Sequence, residues 1–172
     1  SFNPNSDIFI SKFYLVPKQA GLINNCINCN YFQSEHMKHE ELTHKIIGCA
    51  MKVHSVLGNG FQEVIYQRAL VIEMKTCGLD FQREMEMPII YNGHEIGKRR
   101  VDFFVEGKVM VEIKACIKLE DVHIAQAMNY CQVYNLPLGL LINFGAKSLE
   151  FKRIYNVNHE ENSNYLRKSQ KF

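Results

Sequence analysis

Asp102, Glu112 and Lys114 are the residues of this 172-residue chain whose types and spacing could do chemistry. They lie within Val101–Ala115, where two β-rich runs flank Glu106-Gly107-Lys108. A glycine inside a three-residue connection can take the positive φ that such a hairpin turn needs. Val105 then pairs with Val109, and counting back sets Asp102 opposite Glu112, because paired residue numbers share one sum. Side chains alternate along a strand, so this register puts Asp102, Glu112 and Lys114 on one face. Val101, Phe103, Val109, Val111 and Ile113 fall on the other. A two-residue loop would face Asp102 with Val111 instead.

Two carboxylates on strands whose Cα atoms are roughly 4.5–5.5 Å apart repel each other. They must either raise a pKa or share a cation. A hard divalent ion, Mg²⁺ or Mn²⁺, suits carboxylate oxygens and keeps waters that a substrate phosphate can displace. Lys114 leans over the same place, where an ammonium can stabilise phosphoryl charge or orient an attacking water. The plainer reading is a solvated sheet face. Against it stand an opposite face that is wholly apolar and a strand, Lys108–Ala115, hydrophobic enough to be central, where a charged triplet is costly without a task.

The elements that must position this triplet follow from periodicity. Leu42, Ile46, Cys49, Ala50, Val53 and Leu57 recur at three and four, predicting an amphipathic helix over Lys38–Leu57 that stops at Gly58-Asn59-Gly60. His44 and His54 are expected on its solvated side. A second helix spans Phe61–Cys77, with Glu63 in its first turn, where the helix dipole favours a carboxylate. Tyr66, one turn on, is expected mainly to pack. Leu79–Tyr91 reads as a strand, Asn92-Gly93 as a hairpin turn, and Lys98–Val105 as the returning strand. Lys98 and Arg100 share the parity of Asp102 and could hold phosphates, while Arg99 is expected to face away.

Beyond Ala115, Glu120–Tyr134 reads as a helix with His123, Gln126 and Tyr130 on one side. His123 could donate to a phosphate, although a lone helical histidine is more often structural. Leu138–Phe144 is a near-continuous apolar run, as in a strand buried on both faces. A helical crossover makes it a parallel neighbour of the Glu112 strand. Leu149–Tyr155 is a last strand, at an edge because Lys152 and Arg153 break its pattern.

The net charge of +2 is too small to announce nucleic-acid binding, so any basic footprint must be local. No apolar run approaches membrane-spanning length, and no convincing secretory signal stands at the start. Single cysteines in helices and at a strand end fit free thiols in a reducing compartment, hence a cytoplasmic protein. Cys26-x-x-Cys29 with His36 and His39 is read as coincidence rather than a zinc site. Residues 1–36 show neither helical nor strand period and form an N-terminal extension. Met37 stands just before the first strong helix and is the expected natural start. Residues 37–156 form the domain, and 157–172 a polar tail.

Asp102, nine residues, then Glu112-Ile113-Lys114 resembles the core of the PD-(D/E)XK nuclease superfamily. Gly60-Phe61-Gln62-Glu63-Val64-Ile65-Tyr66 is similar to the motif that names its GxxExxY family. The resemblance runs from about His39 to Tyr155 and takes in Gln126–Tyr130 and Leu141-Ile142-Asn143-Phe144-Gly145. It implies a restriction-endonuclease-like α/β fold of three layers, with a central mixed sheet of about five strands and flanking helices. It also implies metal-dependent hydrolysis of phosphodiesters in nucleic acid, with DNA the expected substrate. Asp102, Glu112, the Ile113 carbonyl and Glu63 would bind metal, Lys114 would position or activate the nucleophile, and Gln126 would complete the shell. Lys98, Arg100, His123 and Tyr130 would contact nucleic acid. Family analogy allows a homodimer. The alternative is a catalytically silent module of the same fold that binds nucleic acid or a protein partner.

Overall fold

The computed structural model describes residues 27–160, with side chains described from residue 39. Cys26 and the side chains of Cys29 and His36 in the zinc-like pattern, most of the N-terminal extension and most of the C-terminal tail lie outside what is described. The elements run α1 (Ile27–Leu57), α2 (Glu63–Thr76), β1 (Phe81–Tyr91), β2 (His94–Val105), β3 (Val109–Lys114), α3 (Asp121–Val133), β4 (Leu138–Asn143) and β5 (Glu150–Tyr155). They build one five-stranded sheet of order β1-β2-β3-β4-β5, with β3 and β4 parallel and every other pair antiparallel. Helix α1 begins at Ile27, not at Lys38. Once nucleated, a helix extends by one hydrogen bond per residue without needing an apolar stripe, so periodicity did not mark its first turns. Strand β2 likewise begins at His94, directly after the Asn92-Gly93 turn, where both residues have positive φ (48° and 79°).

Three layers result. Helices α1 and α2 cover one face, where Ile46, Val53, Tyr66 and Leu70 pack with Phe103, Val111, Ile113, Leu140 and Ile142. Helix α3 covers the other, where Ile124, Ala127, Tyr130 and Cys131 pack with Val101, Met110, Leu141 and Ile154. Strands β3 and β4 are buried on both faces, which is why their sequences read as apolar runs. The β2–β3 hairpin has the three-residue loop: Val105 pairs with Val109, Phe104 with Met110 and Phe103 with Val111. Glu106 joins Gly107 at positive φ. It is fixed there by two bonds to Asp80, its N–H donating to the Asp80 carbonyl and its Oε1 accepting from the Asp80 N–H, each at 2.9 Å.

Val101 departs from the expected alternation. It packs with the α3 layer, on the side opposite Phe103. Between them the β1–β2 ladder lacks the rung of Glu84 with Asp102, and Glu84 has φ +49°. A left-handed residue there adds twist and resets which way the ribbon's side chains point. One other correction concerns α1. His54 is half-buried rather than solvated, its Nε2 meeting the Ala146 carbonyl at 3.1 Å, whereas His44 is exposed as expected and contacts Arg153 at 3.2 Å. Cys49, Cys77, Cys116 and Cys131 are free thiols, Cys49 and Cys77 with sulfurs 3.4 Å apart.

Candidate active site

The site lies in the fork where β2 leaves β3. Phe103–Val111 is the last paired rung. One step beyond it, the Asp102 side chain replaces the main-chain partner, its Oδ2 accepting from the Ile113 N–H at 2.7 Å. Oδ1 accepts from Gln67 Nε2 of α2, also at 2.7 Å. Glu112 is 7% exposed, and its Oε1 receives Lys114 Nζ at 3.1 Å. Its Oε2 is buried with no hydrogen-bond partner. Burial and then the neighbouring Glu112 charge push the Asp102 carboxyl up to about 6, Glu63 adding to the rise. The Ile113 N–H and the Lys114 charge oppose it only in part.

A cleft of about 540 Å³ opens above the acids. Glu63, Val64 and Gln67 of α2 form one wall, Glu84, Arg99 and Arg100 of the β1–β2 ribbon the other, and Asp102 and Glu112 the base. The α2 wall is set by Tyr66, which is fully buried and stacks on Phe144 with centroids 4.6 Å apart. Its hydroxyl donates to the Gly58 carbonyl at 2.9 Å and accepts from the Phe61 N–H at 3.2 Å, pinning the turn that delivers Glu63. The chain after Lys114 is clamped by buried Asn143. Its Oδ1 accepts from the N–H groups of Cys116 and Gly145, and its Nδ2 donates to the Cys116 carbonyl and Glu150 Oε2. Gly145 is required there, since a Cβ would stand 2.5 Å from the Ala115 and Cys116 backbone.

The expected site residues divide accordingly. Asp102, Glu112 and Lys114 come together, with Glu63 at the rim of the same cleft. Arg100 lines the cleft and lies 4.0 Å from Glu84. Lys98 is outside it, in an exposed pair with Glu86 at 3.6 Å. Gln126 is half-buried on α3 and is not among the cleft-lining residues. His123 serves the start of α3, its Nδ1 accepting from the Glu120 N–H at 3.1 Å. Tyr130 is buried in the α3 layer with its ring under the Arg99 guanidinium, 4.8 Å from Cζ to centroid. Arg99 therefore does not face away: it lines the cleft together with Arg100. Arg99, Gln67 and Glu84 are cleft-lining polar residues that periodicity missed. The i+4 spacing from Glu63 to Gln67 carried a signal, since it puts both on one helix face.

The sequence model of the PD-(D/E)XK nuclease superfamily matches residues 40–154. The chain belongs to the PD-(D/E)XK nuclease superfamily. The match runs from within α1 into β5, and the mixed five-stranded sheet between helices agrees with the superfamily's restriction-endonuclease-like fold. A solved structure, titled "Crystal structure of SSO0001", is similar at 20% identity with a TM-score of 0.45. The alignment covers 63% of this chain and 60% of that one, so the chain spans less than two thirds of that neighbour's length. No curated protein matches the chain. No described helix is long and apolar enough to cross a membrane.

PD-(D/E)XK nucleases generally use divalent metals, and the donors here can be tested against that need. Asp102 and Glu112 offer hard oxygens, and the orphaned, buried Glu112 Oε2 lacks the positive partner that such an atom requires. The Lys114 carbonyl accepts from Phe144 on the β4 side, so by strand alternation the Ile113 carbonyl turns to the fork, as its N–H does. Among the described residues no three His, Cys, Asp or Glu side chains gather closely enough to hold a metal by themselves. The fit is to a hard cation held by two carboxylates and a main-chain carbonyl, with the remaining positions left to water and substrate.

Proposed function

We propose that this chain is a divalent-metal-dependent nuclease of the GxxExxY type that hydrolyses phosphodiester bonds in DNA. The observation that carries the reading is the buried Glu112 oxygen without a partner, beside Asp102 and within one side chain of the Lys114 ammonium. Each motif residue has a structural reason: Gly60 takes φ +109° before α2, Glu63 stands at the cleft rim, and Tyr66 pins the turn. Mg²⁺ or Mn²⁺, held by Asp102, Glu112 and the Ile113 carbonyl with Glu63 in reserve, supplies Lewis-acid stabilisation of the phosphoryl group.

The chain's own groups supply the rest. Lys114 Nζ, held by Glu112 at 3.1 Å, is aimed by that bond and stabilises developing negative charge or orients the attacking water. Gln67 fixes the Asp102 carboxylate so that it need not reorganise during the reaction. Arg100 contributes positive charge at the ribbon wall, where a backbone phosphate would lie. Gln126, His123 and Lys98 lie off the cleft lining and act on a longer substrate or not at all. Free thiols at Cys49, Cys77, Cys116 and Cys131 suit the reducing cytoplasm. By analogy with nucleases that cut one strand per subunit, a homodimer is the assembly for double-strand cleavage.

A second reading, a silent module binding nucleic acid or a protein, is favoured by one observation: both Asp102 oxygens already accept hydrogen bonds. A Mg²⁺ titration separates the two, because the nuclease must bind the ion and the silent module need not. The deciding assay is cleavage of single- and double-stranded DNA and RNA with Mg²⁺ or Mn²⁺, running Glu112→Ala and an EDTA control beside the wild type. Cutting lost in both controls supports the nuclease and identifies its substrate; no cutting under any condition transfers the weight to the silent module.

A further inference from the structure

Arg99 is the cation of the cleft that no carboxylate claims. Arg100 lies near Glu84 and Lys114 is taken by Glu112, yet among the described residues Arg99 makes no ion pair, although Glu84, Asp102 and Glu112 line the same cleft. Its guanidinium instead lies over the Tyr130 ring at 4.8 Å. Stacking holds the plane of a guanidinium while leaving its five N–H donors free, and an arginine held so is ready for bidentate contact with a phosphate. Tyr130 is a firm platform. It is 7% exposed and its hydroxyl has no hydrogen-bond partner, so packing alone fixes the ring. One turn on, Tyr134 donates to the Met87 carbonyl at 2.9 Å, and Met87 is the ladder partner of Arg99, which ties this end of α3 to the ribbon.

Position adds to the argument. Asp102 lies three residues along β2 from Arg99, roughly 10 Å at strand rise. A strand of nucleic acid with one phosphate at the acids would pass Arg99 with its neighbouring phosphate. We propose that Arg99, laid on the ring of Tyr130, is the phosphate clamp that holds the substrate strand beside the scissile position. The proposal rests on the nuclease reading and adds to it the residue that grips the strand. Tyr130 acts through Arg99 and is a positioning residue.

The test is binding, not cutting. Anisotropy of labelled single- and double-stranded DNA is measured in EDTA and in Ca²⁺, over a range of KCl, for wild type, Arg99→Ala, Arg99→Lys, Tyr130→Phe, Tyr130→Leu and Lys75→Ala. Lys75, in the last turn of α2 at the end away from Glu63, controls for loss of one charge. Arg99→Ala should weaken binding about tenfold or more and reduce the salt slope by about one. Arg99→Lys should keep the slope and lose affinity. Tyr130→Phe should bind like wild type and Tyr130→Leu like Arg99→Ala. Arg99→Ala binding as tightly as Lys75→Ala, with an unchanged slope, overturns the clamp while leaving the nuclease reading intact. Wild type that binds no DNA in either buffer overturns both. Should Tyr130→Leu fail to fold, the two Arg99 variants decide alone.

Discussion

Gln67 Nε2 donates to Asp102 Oδ1 at 2.7 Å, and this bond joins the helix that presents Glu63 to the strand that presents the first acid. The Ile113 N–H holds the other oxygen, so the Asp102 carboxylate is oriented from two elements at once. Removing one holder leaves a carboxylate that is free to turn. Gln67→Ala is expected to lower kcat/KM about 10- to 100-fold and weaken Mg²⁺ binding with little loss of fold, as for other residues that orient metal ligands. Calorimetric Mg²⁺ titration beside steady-state kinetics checks it; unchanged metal affinity would show that Asp102 holds its orientation without Gln67.

The raised Asp102 carboxyl makes the metal-free protein pH-sensitive in a defined direction. Its folded value of about 6 lies above the ordinary 3.8, so the folded state takes up the proton more readily than the unfolded chain. This group's contribution to stability is full below about pH 3.8 and is lost as pH rises through about 6, a change of at most about 3 kcal/mol. Asp102→Asn, which cannot ionise, should therefore melt higher than wild type in EDTA at pH 7.5, and the gap should close as pH falls to 4. Protons and metal compete for the same oxygens, so Mg²⁺ affinity of the wild type should fall below pH 6. Thermal melts of both proteins across that range measure the effect.

Lys114 and Glu112 form a nearly buried pair, 16% and 9% exposed at their side chains. Lys114→Ala should reduce cleavage by at least about 100-fold and also destabilise the protein by a few kcal/mol, order ~3, because it strands a buried carboxylate. Glu112→Gln combined with Lys114→Met removes both charges and should recover most of that stability without activity. Urea unfolding of the single and double variants gives the coupling. A Lys114→Ala protein that cuts at wild-type rate would take Lys114 out of the mechanism.

Gly145→Ala tests the clamp behind β3. The added Cβ would meet backbone atoms at 2.5 Å, which no side-chain rotation relieves. The variant should lose about 2 kcal/mol or more of stability and lose activity as well, because the displaced segment directly follows Lys114. Equal stability of variant and wild type in urea would mean the two segments separate easily.

The parts of the site legible in residue order are those that obey a local rule. Gly107 revealed the loop length, and with it the register from Val105–Val109 to Phe103–Val111, although the ladder ends one step before the expected Asp102–Glu112 rung. The apolar runs of β3 and β4 revealed a centre buried on both faces. Arg99 and Val101 were illegible because the β1–β2 ladder is interrupted between its Arg83–Phe103 and Met85–Val101 rungs, where the neighbouring strand has Glu84 at φ +49°, a residue type that does not advertise left-handed geometry. The start of α1 was hidden for the opposite reason, since Ile27–Glu35 carries no stripe to read. Gln67 lay in view, one helical turn from Glu63, but its partner is set by long-range packing.

The fork between β2 and β3 also divides the molecule by how its amides should exchange with solvent. Val109–Ile113 and Leu138–Asn143 are buried throughout and flanked by paired strands, so their protons should exchange only when the whole domain unfolds. From Glu84 to Arg100 the two strands of the ribbon are hydrogen-bonded only to each other and are largely exposed, so away from the Tyr134–Met87 tie their protons should exchange through local opening. Asp102 sits on the seam. One acid of the candidate site is therefore anchored to the slowest-exchanging part of the chain, while the wall that carries Arg99 and Arg100 belongs to a part that opens more readily.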